Sequence, residues 1–195
     1  LSMTVRGVKV NKMFSKGFIF YVCVCALAAF IASSREILRP LLWFICVALY
    51  RLVVQYQVAR YGNSQNNPNE KKSGKAIHLL LYVGIGGITL LPALEFILMP
   101  NPGNIFVMFM GVFSIGLAVL LRYISTSALK SNYSEFIEVG SSHGLISSGI
   151  YGYVRHPIYL GLILLGIGTI LILQSYRSAI FLVFFFLPVI SMRAK

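Results

Sequence analysis

The sequence predicts an all-α fold, a polytopic transmembrane helix bundle of about six spans. Three observations predict it. Apolar residues make up 57% of the 195, charged residues only 11%, and the mean hydropathy is +0.81, more apolar surface than a chain this size can bury in water. Six apolar runs are separated by short polar or turn-forming breaks, and six spans of about 20 residues leave roughly 75 for loops, room for one bundle but not for a soluble domain besides. The charge is lopsided: 17 Lys and Arg against five Glu and no Asp, net +12, placed mostly around the runs. Disorder, a soluble α/β enzyme and a secreted disulfide scaffold are excluded by the same numbers.

Each run is justified in turn. A basic head with Arg6, Lys9, Lys12 and Lys16 precedes Gly17 to Ser33, which is poor in small-residue cleavage sites and reads as a membrane helix rather than a leader. The polar break Ser34 to Pro40 supplies helix-start residues, and Leu41 to Tyr61 is the second helix, with Arg51 and Gln55 in its later half. Gly62 to Lys75 is a solvated loop. The third span, Ala76 to Met99, is interrupted by Gly84, Gly86, Gly87 and Pro92 and ends at the tight turn Pro100-Asn-Pro-Gly103. Ile105 to Ile124 returns, and Ser125 to Pro157 then loses apolar periodicity, the kind of long irregular segment that is usually functional or disordered. Ile158 to Leu173 and Ala179 to Met192, joined by Gln174-Ser-Tyr-Arg-Ser178, read as a closing helical hairpin. The chain therefore divides into residues 1–124, four spans, and residues 125–195, a polar segment plus hairpin in the same bundle.

Over six spans, thirteen of the 17 basic residues fall on one side, with Arg35, Arg39 and Arg177 on the other and Arg51 inside a span. By the positive-inside rule both termini and the Ser125 to Pro157 segment face the cytoplasm. Basic residues flanking spans fix topology and touch anionic lipid, so membrane lipids are the expected partners and nucleic acid is not. Cys23, Cys25 and Cys46 lie inside apolar runs as small hydrophobes, and no metal-ligand spacing exists. Oligomeric state is not legible.

Chemistry concentrates in His143-Gly-Leu-Ile146, Ser147-Ser-Gly-Ile-Tyr151 and Gly152-Tyr-Val-Arg-His-Pro-Ile-Tyr-Leu-Gly161, which lead straight into a span. Pro157 suits the first turn of a helix, which sets Arg155 and His156 beside its unpaired amides, an anion-binding geometry. The residues alone also fit an interfacial belt, with Tyr151, Tyr153 and Tyr159 anchoring, Arg155 on phosphate and His156 capping.

The full ordered set, a His with an apolar pair, a Gly-x-Tyr turn and Arg-His-Pro-x-Tyr-x-Gly at a helix head, resembles the isoprenylcysteine carboxyl methyltransferase family and its phospholipid methyltransferase relatives. The likeness covers about the last 75 residues, hairpin included. It implies an S-adenosyl-L-methionine site lined by His143, Gly144, Leu145, Ile146, Tyr151, His156, Pro157, Ile158 and Tyr159. It also implies a catalytic Arg, for which Arg193 stands, followed four residues later by a Glu. The sequence stops at Lys195, so either it is truncated or its site is incomplete, and as it stands impaired catalysis is expected. In-line methyl transfer needs alignment and a dry pocket more than an acid–base pair, which suits a segment poor in acids.

The resemblance implies a membrane methyltransferase taking cytosolic S-adenosyl-L-methionine and a prenylated or lipid-like acceptor with a carboxylate, in the endoplasmic reticulum of a eukaryote or the inner membrane of a bacterium. Phospholipid amine methylation is the alternative and needs a base, for which Glu138, a Tyr or His156 would serve. A sterol-type reductase with a nicotinamide cofactor, or a non-catalytic relative, are the others. Elsewhere, Glu95 is read as reaching the far interface, Arg51 as pairing with a polar helix partner, and His78 as a head-group contact. Glu135 and Glu138 are read as solvated loop charges. Gly84-Ile-Gly-Gly87, Gly111 with Gly116, and Gly161, Gly166 and Gly168 are read as close helix contacts, and Phe184-Phe-Phe186 as lipid-facing or core bulk.

Overall fold

The computed structural model describes residues 4–5, 8–9, 16–32, 37–61, 75–129 and 149–194. Thr4–Val5 and Val8–Lys9 (β1 and β2) pair as a two-residue antiparallel ladder in the basic head, which hydrophobic periodicity gives no reason to expect. All other regular structure among the described residues is helical: α1 Lys16–Ala32, α2 Leu38–Tyr61, α3 Lys75–Leu98, α4 Ile105–Leu129, α5 Pro157–Leu173, α6 Ala179–Phe181 and α7 Leu187–Ala194. Among the described residues Leu38–Arg60, Leu79–Leu98 and Ile105–Leu129 are long and apolar enough to cross a membrane, and Pro157–Leu173 and Tyr176–Met192 are shorter apolar helices. The protein is a membrane protein built as an antiparallel helical bundle.

Two helix boundaries and one predicted interruption differ from the sequence reading. α2 begins at Leu38, before Pro40, because a proline in the first turn has no bond to lose there. α3 continues through Pro92, which is buried, and the Pro92 carbonyl accepts the Ser175 hydroxyl at 2.7 Å. α4 runs five residues beyond Ile124, to Leu129. Its polar last turns stay helical because Ser125 and Thr126 donate to their own helix, to Leu121 O at 2.5 Å and Arg122 O at 2.7 Å.

Helix α5 lies at the centre, packed along α4 and touching α2 and α3. The helix is apolar all round: Leu162, Leu165, Thr169, Ile170, Ile172 and Leu173 are buried against its neighbours, while Leu160 and Ile167 are exposed, as a membrane-spanning helix allows. The α4–α5 crossing depends on glycine. A methyl added at Gly168 would stand 2.5 Å from Ile115 Cγ1 and 2.8 Å from Gly111 O, and one at Gly111 would stand 2.7 Å from Ile172 N. Gly161 sits against Ala118 O, Gly166 against Leu182, and Gly84 and Gly87 receive the rings of Phe186 and Phe181. Gly116 departs from the expectation: it is exposed, with nothing within 4 Å of an added methyl.

After α5 the chain turns through Gln174, which takes a left-handed conformation at φ 55°. Its side chain holds the α4 start from both sides, accepting from Asn104 N at 3.0 Å and donating to Asn104 O at 2.7 Å. Arg39 closes the same end, lying over Phe96 at 4.9 Å and donating to Asn101 O at 3.1 Å. The last helix opens with a 3₁₀ turn, Tyr176–Ser178, and contains a π-helical stretch, Leu182–Phe186, that no sequence periodicity announces. The Phe run splits: Phe184 is 77% exposed and Phe186 fully buried.

Glu95 is structural. Its carboxylate accepts from Arg177 N at 3.1 Å, Ser178 N at 2.7 Å and Ser178 Oγ at 2.6 Å, capping from α3 the turn that begins the last helix. Replacing it with alanine removes the acceptor of the Arg177 amide and the Ser178 hydroxyl and leaves the Ser178 amide only Ser175 O at 3.3 Å, so thermal unfolding in detergent should show a loss of about 1–3 kcal/mol, with Glu95→Gln in between; an unchanged midpoint in both would contradict the cap.

Candidate cofactor-binding mouth of helix α5

The local sequence dictates how α5 starts. Pro157, buried at the first helical position, pre-sets the helix and pushes the residue before it out of helical geometry, and His156 has φ −131° and ψ 63°. His156 O accepts from both Tyr159 N and Leu160 N at 3.1 Å. Since proline has no N–H, two amides of this first turn are already engaged and only that of Ile158 remains open. The unpaired-amide cradle expected from the sequence is therefore smaller, and an anion here depends on side chains.

Those side chains are available. The His156 imidazole makes no capping bond and stacks on the Tyr159 ring, centroids 5.5 Å apart and planes 19° apart. Arg155 and His156 are exposed, Ile158 and Tyr159 half-buried, so the pair forms a flat aromatic ledge with one face on the core and one at the surface. Just before it, Gly149–Gly152 forms a 3₁₀ turn that touches α4, entered by Gly149 at φ +65°, and brings half-buried Tyr151 to the same end. Tyr153 is 94% exposed and contributes nothing to an enclosed site.

Gly161 on Ala118 sets the register, so one turn further along α4, Arg122 lies level with Pro157. Buried Arg122 donates to Gln57 Oε1 at 3.3 Å, and the Thr126 hydroxyl, with one proton to share between Arg122 O and this same oxygen, lies 3.1 Å from it. This polar clasp between α2 and α4 supports the mouth from below. Sequence reasoning missed it; the signal was Arg122 and Thr126 one helical turn apart.

Of the residues expected to bind the cofactor, the structure brings Tyr151, His156, Pro157, Ile158 and Tyr159 to one end of the bundle. His143, Gly144, Leu145 and Ile146 lie outside the described residues. Arg193 is in the last turn of α7, which the closing hairpin returns toward the end where α5 begins.

The sequence model of the isoprenylcysteine carboxyl methyltransferase (ICMT) family matches residues 109–195, the stretch that runs from α4 through this mouth to the last helix. That stretch is similar to the family. A protein-S-isoprenylcysteine O-methyltransferase of Schizosaccharomyces pombe is 28% identical over 152 residues, covering 71% of this chain and 64% of the relative. The chain thus spans less than two thirds of the length of that curated relative. No solved structure matches. The matched stretch contains the ordered set that ends in Arg155-His156-Pro157-Ile158-Tyr159-Leu160-Gly161, and the part of the chain before residue 109 lies outside it.

Proposed function

We propose that the protein is an integral membrane S-adenosyl-L-methionine-dependent methyltransferase acting on the C-terminal carboxylate of a prenylated cysteine. The observation that carries this reading is the ledge at the α5 mouth: an imidazole uncommitted to its own helix, stacked on a half-buried phenol at a helix start fixed by Pro157. The family match over residues 109–195 and the similarity to the Schizosaccharomyces pombe protein-S-isoprenylcysteine O-methyltransferase support it.

The residues present suit a ligand that is aromatic at one end, cationic at the sulfur and anionic at its amino-acid carboxylate. Stacked rings accept a flat base or a sulfonium on their faces. Exposed Arg155 and His156, with the Ile158 amide, offer donors to a carboxylate. Tyr151 closes the near wall, and His143, Gly144, Leu145 and Ile146 complete the lining. S-adenosyl-L-methionine, when bound, supplies a methyl carbon open to displacement. The chain's share is to align: the glycine-dependent α4–α5 contact fixes the helix start that carries the ledge, and half-buried Ile158 and Tyr159 back it on the core side. Arg193, returned by α7, orients the acceptor carboxylate, which is already ionised and needs no base.

The six-span topology belongs to this reading. α1 at 17 residues and α5 at 17 reach the lower length limit for a span, and the last helix, Tyr176–Met192, completes six. The mouth then faces the cytoplasm, with residues 1–124 as the membrane scaffold and 125–195 as the cofactor-binding part. The membrane is the endoplasmic reticulum in a eukaryote and the inner membrane in a bacterium.

Methyl-transfer assays with a farnesylated cysteine and with phosphatidylethanolamine test the acceptor. Transfer to the former alone is expected; transfer to the amine alone would replace this reading with phospholipid methylation.

A further inference from the structure

We propose that the last helix carries a hinge at residues 182–188, about which its end segment, Leu187–Ala194, swings to admit the methyl acceptor while residues 176–181 stay fixed. The purpose of the swing rests on the proposed role of Arg193; the hinge itself rests on the helix. Regular α-helical bonding stops at Leu182–Phe186, where the chain takes a π turn. Leu187 N–H donates five residues back, to Leu182 O, and Pro188 has no N–H to give. Val183 O and Phe184 O therefore both lack their ordinary α-helical donor. These two residues are exposed, so the gap in the bond ladder lies on the outer side of the helix. Bending there breaks no bond, and prolines and π turns are where helices kink.

Packing sets where the extra residue goes. Phe181 and Phe186 cover Gly87 and Gly84, positions three residues apart on α3. Along a plain α-helix two residues five apart point about 140° away from each other, and both rings could not meet that face. The wider π turn brings them round to it.

The two sides of the turn are held unequally. Before it, Glu95 accepts from Arg177 N, Ser178 N and the Ser178 hydroxyl, the Ser175 hydroxyl donates to Pro92 O at 2.7 Å, and Phe181 rests on α3. Beyond it, α7 packs chiefly on α3 and buries Val189 and Ile190, while Leu187, Pro188, Ser191 and Met192 are exposed. The Ser191 hydroxyl donates within the helix, to Pro188 O at 2.8 Å. Apolar contact on one side resists separation but resists tilting weakly, because it has no preferred direction. Arg193 lies in the last turn of this segment, at the end of the bundle where α5 begins.

Hydrogen exchange read residue by residue on the whole protein in detergent tests the hinge. The amides of Val189 and Ile190, although buried, should exchange about tenfold faster than those of Ile180 and Phe181, with the step at Pro188. Deleting exposed Phe184 together with Pro188→Ala closes the turn into an α-helix and should slow Val189 and Ile190 by about tenfold. Should that variant not fold, Pro188→Ala alone must slow them in part. Wild-type protection of Val189 and Ile190 equal to that of Ile180 and Phe181 overturns the hinge. So does a rate that climbs smoothly towards Lys195 and ignores both variants, the mark of a fraying end. In methyl transfer to farnesylcysteine the closed variant should keep its donor binding and show a KM for the acceptor raised about fivefold; an unchanged KM overturns the role in admission. A wild type that shows the exchange step but transfers no methyl refutes the proposed activity and leaves the hinge standing.

Discussion

Replacing His156 with alanine is expected to weaken S-adenosyl-L-methionine binding by about ten- to a hundredfold while leaving the protein folded. The two halves of that expectation come from different observations. The imidazole is exposed, makes no capping bond, and is not what starts α5, since Pro157 sets the first turn and the His156 carbonyl, which alanine retains, accepts its amides. Thermal unfolding should therefore shift by no more than about 0.5 kcal/mol. Binding, in contrast, loses a donor and one face of the ledge at once. Tyr159→Phe keeps the ring and should cost little, whereas Tyr159→Ala removes the surface on which His156 rests and should match the histidine variant. Equilibrium binding with radiolabelled donor, alongside a melting curve, separates the cases. If His156→Ala binds as tightly as the parent, the residues at the α5 start are an interfacial belt.

The largest effect on stability is expected at the α4–α5 crossing. Gly168→Leu should destabilise the protein by about 3 kcal/mol or prevent its recovery as a monodisperse species, because the added side chain meets Gly111 O and Ile115 N, backbone that cannot rotate away. Gly116→Leu is the control. It lies on the same helix as Gly111 but is exposed, with no atom within 4 Å of an added methyl, and should unfold within about 0.5 kcal/mol of the parent. Both glycines look alike in sequence. Size-exclusion profiles and thermal unfolding in detergent distinguish them, and equal behaviour would contradict the packing described for this crossing.

That pair also shows where sequence reasoning stops. The six helical segments were legible because each is a long apolar run bounded by charge, Pro or Gly, and α1, α3 and α5 begin and end within a residue of where hydropathy put them. The end of α4 was not, since Ser125, Thr126 and Ser127 read as a loop until the hydroxyls of Ser125 and Thr126 are seen bonding back to their own helix. Nor was the role of Glu95, whose partners are more than 80 residues away in the chain and visible only once α3 lies beside the closing hairpin. The π-helical stretch and the Arg122–Gln57–Thr126 clasp are likewise products of packing. At the site, the Arg-His-Pro-x-Tyr order marked the position, and Pro157 explained the helix start. What order could not convey is that His156 O already engages two of the amides assumed free, which moves anion recognition from backbone to side chain.

The account stands on a methyl donor seated at the mouth of α5. Equilibrium dialysis of the detergent-solubilised whole protein with labelled S-adenosyl-L-methionine, challenged with its demethylated product or with NADPH, tests this directly. Saturable binding of one equivalent, displaced by the demethylated product, unaffected by NADPH and lost in His156→Ala, is the predicted result. Absence of saturable binding, or competition by NADPH, would contradict it.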